Sequence, residues 1–205
     1  MKRTLKVLGL LAAVFAFSAV LASAASATTT FTAESEAKLT VSANETQVFT
    51  YTAGGAQVKC TGVSVTATAP ASSTSISATP SYSGCTGPGG ITAHVSFNGE
   101  CSETFKANGQ VEVCPTKGTV TINVTGLCTY HFSAQTVGTV AYDNIGSGTT
   151  REVKLTPSVT GITATNTNPG FLCGPESSTT GTYSGSVTLT GENSAGTAHI
   201  GVTTD

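Results

Sequence analysis

The stretch "GVSVTATA", Gly62–Ala69, decides the fold. Val63, Val65, Ala67 and Ala69 alternate with Ser64, Thr66 and Thr68. A period of two places every apolar side chain on one face of an extended chain. Threonine and valine also branch at Cβ, which suits a pleated strand better than a helix. The same alternation recurs outward from this point. Val120, Ile122 and Val124 show it, then Tyr183, Gly185, Val187 and Leu189, and finally Ala198, Ile200 and Val202. Further strands are expected near 129–134, 136–143, 151–156 and 161–166. No segment after Thr28 has helical periodicity.

Turns punctuate these runs. Gly54-Gly55 separates "QVFTYTA" from "AQVKC" and predicts a hairpin. Asn98-Gly99 and Asn108-Gly109 are hairpin signals, because Asn and Gly tolerate positive φ. They predict a three-stranded meander of residues 91–97, 100–106 and 110–114. About a dozen short strands without a helix predict an all-β fold, an Ig-like or Greek-key β-sandwich. A distorted barrel and two small sandwiches in series are the alternatives, the latter with a boundary at Asn144–Thr150. Thr167–Thr180, with Asn168-Pro169-Gly170 and Cys173, reads as a long loop. "TPSYSGCT" at Thr79 is echoed by "TPSVTGIT" at Thr156, with Ile162 in the place of Cys85.

The first residues speak to export. Lys2, Arg3 and Lys6 precede an apolar run from Val7 to Ala22, and Ala25-Ser26-Ala27 supplies small residues. This is the pattern of a secretory signal peptide, residues 1–27, cleaved before Thr28. The apolar run is shorter than the ~20 residues that span a bilayer. Residues 28–205 are then expected to form one β-sandwich domain that is released, with no stable membrane insertion. Loss of the three leader cations takes the formal net charge from −2 to −5. An acidic chain without a basic cluster is a poor partner for nucleic acid, whose phosphates demand Lys and Arg. Charged residues make up 10% of the chain, against a usual ~25%, so Ser and Thr carry the surface polarity.

The six cysteines are Cys60, Cys85, Cys101, Cys114, Cys128 and Cys173. An even count in an exported chain, with no C-x-x-C pair, predicts three disulfides in preference to a metal site or a thiol nucleophile. Six cysteines allow about fifteen pairings. The expected set is Cys60–Cys85, Cys114–Cys128 and Cys101–Cys173, with Cys101–Cys114 as the competitor.

Catalytic signatures are missing. A two-residue hairpin at Asn98-Gly99 would set His94 opposite Glu103, a polar pair on a solvent-facing sheet. The pair has no nucleophile or oxyanion donor around it. No G-x-S-x-G elbow, phosphate loop or calcium loop is present. No cofactor is implied. A secreted, non-enzymatic protein is expected, with a surface, structural or protein-binding role. A carbohydrate or cell-wall module is the alternative and a secreted hydrolase the second. Trp is absent and only five Tyr are present, which leaves few residues to stack on sugar rings. The partner is expected to be an extracellular protein or glycan.

The order "FTAES", "VKC", "TPSYSGC", "VEVCP" and "GTYSGSVTLTGENSAGTAHIGV" resembles a group of secreted six-cysteine proteins of soil actinobacteria. That group has no assigned activity. The resemblance implies export, disulfides and an all-β fold, and no function.

Overall fold

Alternating Thr/Ser and Val/Ala runs become strands wherever they find a partner edge. In the computed structural model, which describes residues 28–52, 55–147 and 151–204, they give an all-β fold with three disulfides. The expected signal peptide and Gly54 lie outside the described residues.

The first part of the chain gives six strands. They are β1 (Thr29–Ala33), β2 (Ala37–Ala43), β3 (Gln47–Thr50), β4 (Gln57–Ala69), β5 (Ser72–Ser73) and β6 (Ser75–Thr86). The middle of the chain gives β7 (Ala93–Asn98), β8 (Glu103–Lys106), β9 (Gln110–Val113), β10 (Thr119–Val124) and β11 (Cys128–Phe132). Then come β12 (Gln135–Ile145), β13 (Glu152–Asn166), β14 (Ser177–Ser184), β15 (Val187–Asn193), β16 (Gly196–Ala198) and β17 (Ile200–Thr204).

The main ladder closes on itself. β2 pairs with β4, β4 with β6, β6 with β8, β8 with β9 and β9 with β12. β12 pairs with β13, β13 with β15, and β15 returns to β2. The result is a flattened eight-stranded barrel, a sandwich whose two faces are joined along both sides. The long strands β4, β6 and β13 run beyond this ring into a second layer. There β3 pairs with β4 and β14, and β14 pairs with β13. β11 takes the edge of β13 at Tyr130↔Asn166, followed by β10 and β7, and a single bridge at Thr86↔Thr92 brings β7 back to β6. The terminal strands β1 and β17 pair with each other, and β5 joins β1. Asn144 ties β17 to the barrel, since its side chain donates to the Val202 carbonyl and accepts from the Val202 amide.

The inward face changes phase along the long strands. On β6 the inward positions are Ile76, Ala78, Pro80 and Tyr82, then Cys85; on β13 they are Val153, Leu155, Pro157 and Val159, then Ile162. The step falls at Gly84 (φ 59) and Gly161 (φ 72), left-handed conformations that favour glycine. The echo at Thr79 and Thr156 is thus a shared local geometry: proline inward, two residues on another inward side chain, a glycine kink, then a buried residue.

The expected meander forms only in part. β8 and β9 pair around Asn108, but β7 pairs with β10 instead of β8. A two-residue turn at Asn98-Gly99 would have set Ala93, Val95 and Phe97 against Thr104, Ser102 and Glu100. Pairing with β10 sets them against Val124, Ile122 and Val120. Register follows the hydrophobic pattern, so the apolar match wins over the turn signal. Thr167–Thr180 is shorter as a loop than expected, because β14 starts at Ser177. The run from Tyr183 to Leu189 is broken at Gly185 (φ 132) into two strands. The segment Asn144–Thr150 begins with the last two residues of β12, which pairs with β13 from Thr139↔Ser158 to Ile145↔Glu152; residues 148–150 lie outside the described residues.

Of the expected disulfides, Cys60–Cys85 is present, between direct cross-strand partners on β4 and β6. The other two are corrected. Cys101 pairs with Cys114, not Cys173, and Cys128 pairs with Cys173, not Cys114. The β8–β9 hairpin has a three-residue loop, so Ser102, not Cys101, receives the Cys114 amide at 2.8 Å. Cys114 adopts a left-handed φ of 48, and its Cα lies 4.3 Å from that of Cys101. Cys128 begins β11 beside the end of β13, where the Thr167 amide bonds the Thr129 carbonyl at 3.0 Å. The loop after β13 therefore delivers Cys173 to Cys128.

Candidate binding site: an apolar lumen with one carboxyl

Inward positions of the barrel are mostly Val, Ala, Leu, Ile and Phe, and they do not fill it. Two adjoining cavities of about 110 and 70 Å³ result, the smaller walled mainly by barrel strands and the larger at the junction of the barrel with the second layer, where Phe49, Phe97, Ile122 and Phe132 complete its wall. Glu103, Phe105, Leu155, Tyr183 and Val187 line both, so the two voids adjoin across these side chains and are together termed the lumen. An apolar cavity of about 150 Å³ is large enough to hold benzene. Eight-stranded barrels are near the width at which side chains either fill the interior or leave room for one small ligand. Phe31 on β1 lines the smaller cavity, packed edge-on against Tyr142 at 5.2 Å.

The larger cavity sits behind a seam in the wall. β13 passes from β12 to β11 as partner between Ser158 and Thr165. The Gln135 side chain spans this gap: its Oε1 accepts from the Thr163 amide and its Nε2 donates to the Thr163 carbonyl, each at 2.8 Å. Phe97, Ile122 and Phe132 line the cavity from one side of the seam, and Val113 and Val140 from the other.

Glu103 opens β8 opposite Val113 and Ala78. Its parity matches Phe105, Val111 and Val113, so it projects into the lumen. It retains some accessible surface, which faces the cavities. Loss of hydration there raises its pKa from 4.5 to about 7. Among the described residues its carboxyl has no hydrogen-bond or salt-bridge partner; the ion pairs join Lys106 to Glu112 and Lys117 to Glu100. Two phenols flank it. Tyr82 and Tyr183 both have their pKa raised by burial first and by the Glu103 charge second. Tyr183 donates its hydroxyl proton to Gln47 Oε1, and Gln47 is fully buried, donating in turn to the Glu45 carbonyl at 2.8 Å. Tyr183 and Gln47 thus hold each other while Glu103 is left without a partner.

The expected pair of His94 with Glu103 does not form. His94 is exposed and stands opposite Asn123, on the other face of the wall. His131 is held by Thr121 at 3.4 Å. Among the described residues no group of three His, Cys, Asp or Glu is placed to hold a metal ion, and no helix is long and apolar enough to cross a membrane.

The second layer is different. Tyr51 and Tyr130 stack at 4.5 Å between the disulfides Cys60–Cys85 and Cys128–Cys173. Tyr130 donates to the Cys173 carbonyl at 3.1 Å and Tyr51 to the Pro175 carbonyl at 3.0 Å. Asn166, 2% exposed, also donates to Cys173, at 3.2 Å. These bonds fix the loop Thr167–Glu176, at whose tip Phe171 is fully exposed and Leu172 about half exposed. The sequence carries no local signal for the lumen, and Glu103, expected on a solvent-facing sheet, instead shares the inward parity of Phe105.

No family model, no curated protein and no solved structure matches this chain.

Proposed function

We propose that this is a secreted, non-enzymatic protein that acts by binding, and that its site is the barrel lumen. The ligand is a compact, largely apolar molecule. One observation carries this reading: the barrel and the strands that abut it leave an apolar void and place in it a single carboxyl with no partner among the described residues. A group that is desolvated without compensation weakens the fold, and such groups concentrate at functional sites. Three disulfides fit export.

The alternatives have less support. Sugar-binding faces present exposed aromatic rings, whereas Tyr51 and Tyr130 are buried and Tyr82, Tyr142 and Tyr183 line the lumen. A hydrolase would set a histidine beside a carboxylate in a pocket, whereas His94 faces away from Glu103. A protein-binding role is favoured by the exposed Phe171-Leu172 tip on its tethered loop. Replacing both with Ser should leave lumen binding unchanged and abolish retention on a partner protein.

The lumen reading is tested by titrating the disulfide-intact protein with toluene while following valine and leucine methyl resonances. Saturable shifts at Val140, Leu155 and Val187 are expected. Shifts spread over the surface, or none, would contradict it.

A further inference from the structure

Resting on the lumen reading, we infer that the ligand is a compact apolar amine whose ammonium group pairs with Glu103. The shape of the site sets the body of the molecule and its one unpaired group sets the head. Neither cavity alone, at about 110 and 70 Å³, reaches the ~150 Å³ that holds benzene, but the two joined past the shared Phe105 and Leu155 side chains admit a ring of benzyl size. Phe105, Leu155 and Val187 line both cavities and offer only apolar contact.

The head group follows from what the lumen lacks. Lys106 and Lys117 are engaged with Glu112 and Glu100, and among the described residues no cation lines either cavity. The phenols cannot replace one. Tyr183 directs its proton to Gln47, and the Tyr82 hydroxyl interacts with that of Tyr183. The Glu103 carboxylate is therefore an acceptor whose donor must come from outside the protein. A buried carboxylate is best satisfied by a cation that also donates hydrogen bonds, and an ammonium does both. An anionic ligand would set two negative charges together in an apolar space, and a hydrocarbon would leave the carboxylate unpaired.

The test uses three probes of one shape: benzylamine, benzyl alcohol and toluene. Their binding to the disulfide-intact protein is measured by calorimetry at pH 8, for the native sequence and for Glu103→Gln. Benzylamine is expected to bind at least ~10-fold more tightly than toluene, as a charge-assisted hydrogen bond implies. Glu103→Gln should remove that advantage while leaving toluene affinity within about twofold, since the substitution keeps the shape of the lumen. Equal binding of all three, tighter binding of the alcohol, or an amine preference that survives Glu103→Gln would overturn the amine and leave the lumen standing. Binding of none of the three would overturn the lumen reading itself. A folding check is built in, because the same variant must still bind toluene.

Discussion

The two layers of this molecule share the strands β4, β6 and β13 and differ in what those strands enclose. In the second layer, away from the cavity wall formed by Ile122 and Phe132, the interior is filled by two cystines with Tyr51 and Tyr130. Packing there is tight enough that a β-carbon on Gly87 would fall 2.7 Å from a Val124 methyl. In the barrel, the same strands present Val63, Val65, Ala67, Ala78 and Val159, which stop short of the axis. The phase step at Gly84 marks the passage on β6, since Tyr82 lines the lumen and Cys85 joins the packed cluster. Rigid, cross-linked packing at one end supports a wall that can remain hollow at the other. Site precision of this kind comes from rigid elements around an unfilled centre.

Removing the Cys128–Cys173 bridge should have the largest effect. It closes a loop of sequence separation 45, and Cys128→Ala with Cys173→Ala should cost about 4 kcal/mol in urea unfolding. Loss of lumen binding before global unfolding would show that the packed layer supports the hollow one. A cost below about 1 kcal/mol would break the comparison.

Glu103→Gln should act with the opposite sign. The folded pKa of about 7 lies above the ordinary 4.5. The fold therefore favours the protonated form, and stability is lost as pH rises from 4.5 through 7. At pH 8 the variant should be more stable by about 3 kcal/mol, and at pH 4 nearly unchanged. Tyr82 and Tyr183, which face the carboxyl, stay protonated throughout this range because burial holds their pKa values up. A gain of the same size at both pH values would point to packing and not to charge.

Enlarging one side chain in each layer separates them directly. Val124→Leu should cost about 2 kcal/mol, because there is no room for another carbon. Val140→Leu, into the larger cavity, should gain up to about 1 kcal/mol and weaken ligand binding. Tyr130→Phe should have the smallest effect, a loss of about 1 kcal/mol for the bond to the Cys173 carbonyl. Each is read by urea unfolding.

Much of the fold could be read from parity. The strand at Gly62–Ala69, the β3–β4 hairpin and Cys60–Cys85 follow from local alternation and turn residues. The failures were also failures of parity. Asn98-Gly99 resembles a hairpin turn, yet closing it would have set Phe97 against Glu100. Checking which faces meet would have rejected it and, with it, the His94–Glu103 pair. Cys101–Cys114 depended on one residue in the length of the loop around Asn108, which turn composition alone does not fix. The lumen was illegible for a different reason. Its volume is a difference between the girth of eight strands and the summed size of side chains far apart in sequence, and no local window contains it.

Xenon occupancy of the lumen is the most direct measurement. A crystal pressurised with xenon should show the gas among Phe105, Val140 and Leu155, beside the Glu103 side chain, and none within the Tyr51–Tyr130 layer. A lumen without xenon, or one collapsed so that Phe105 fills it, would contradict the account.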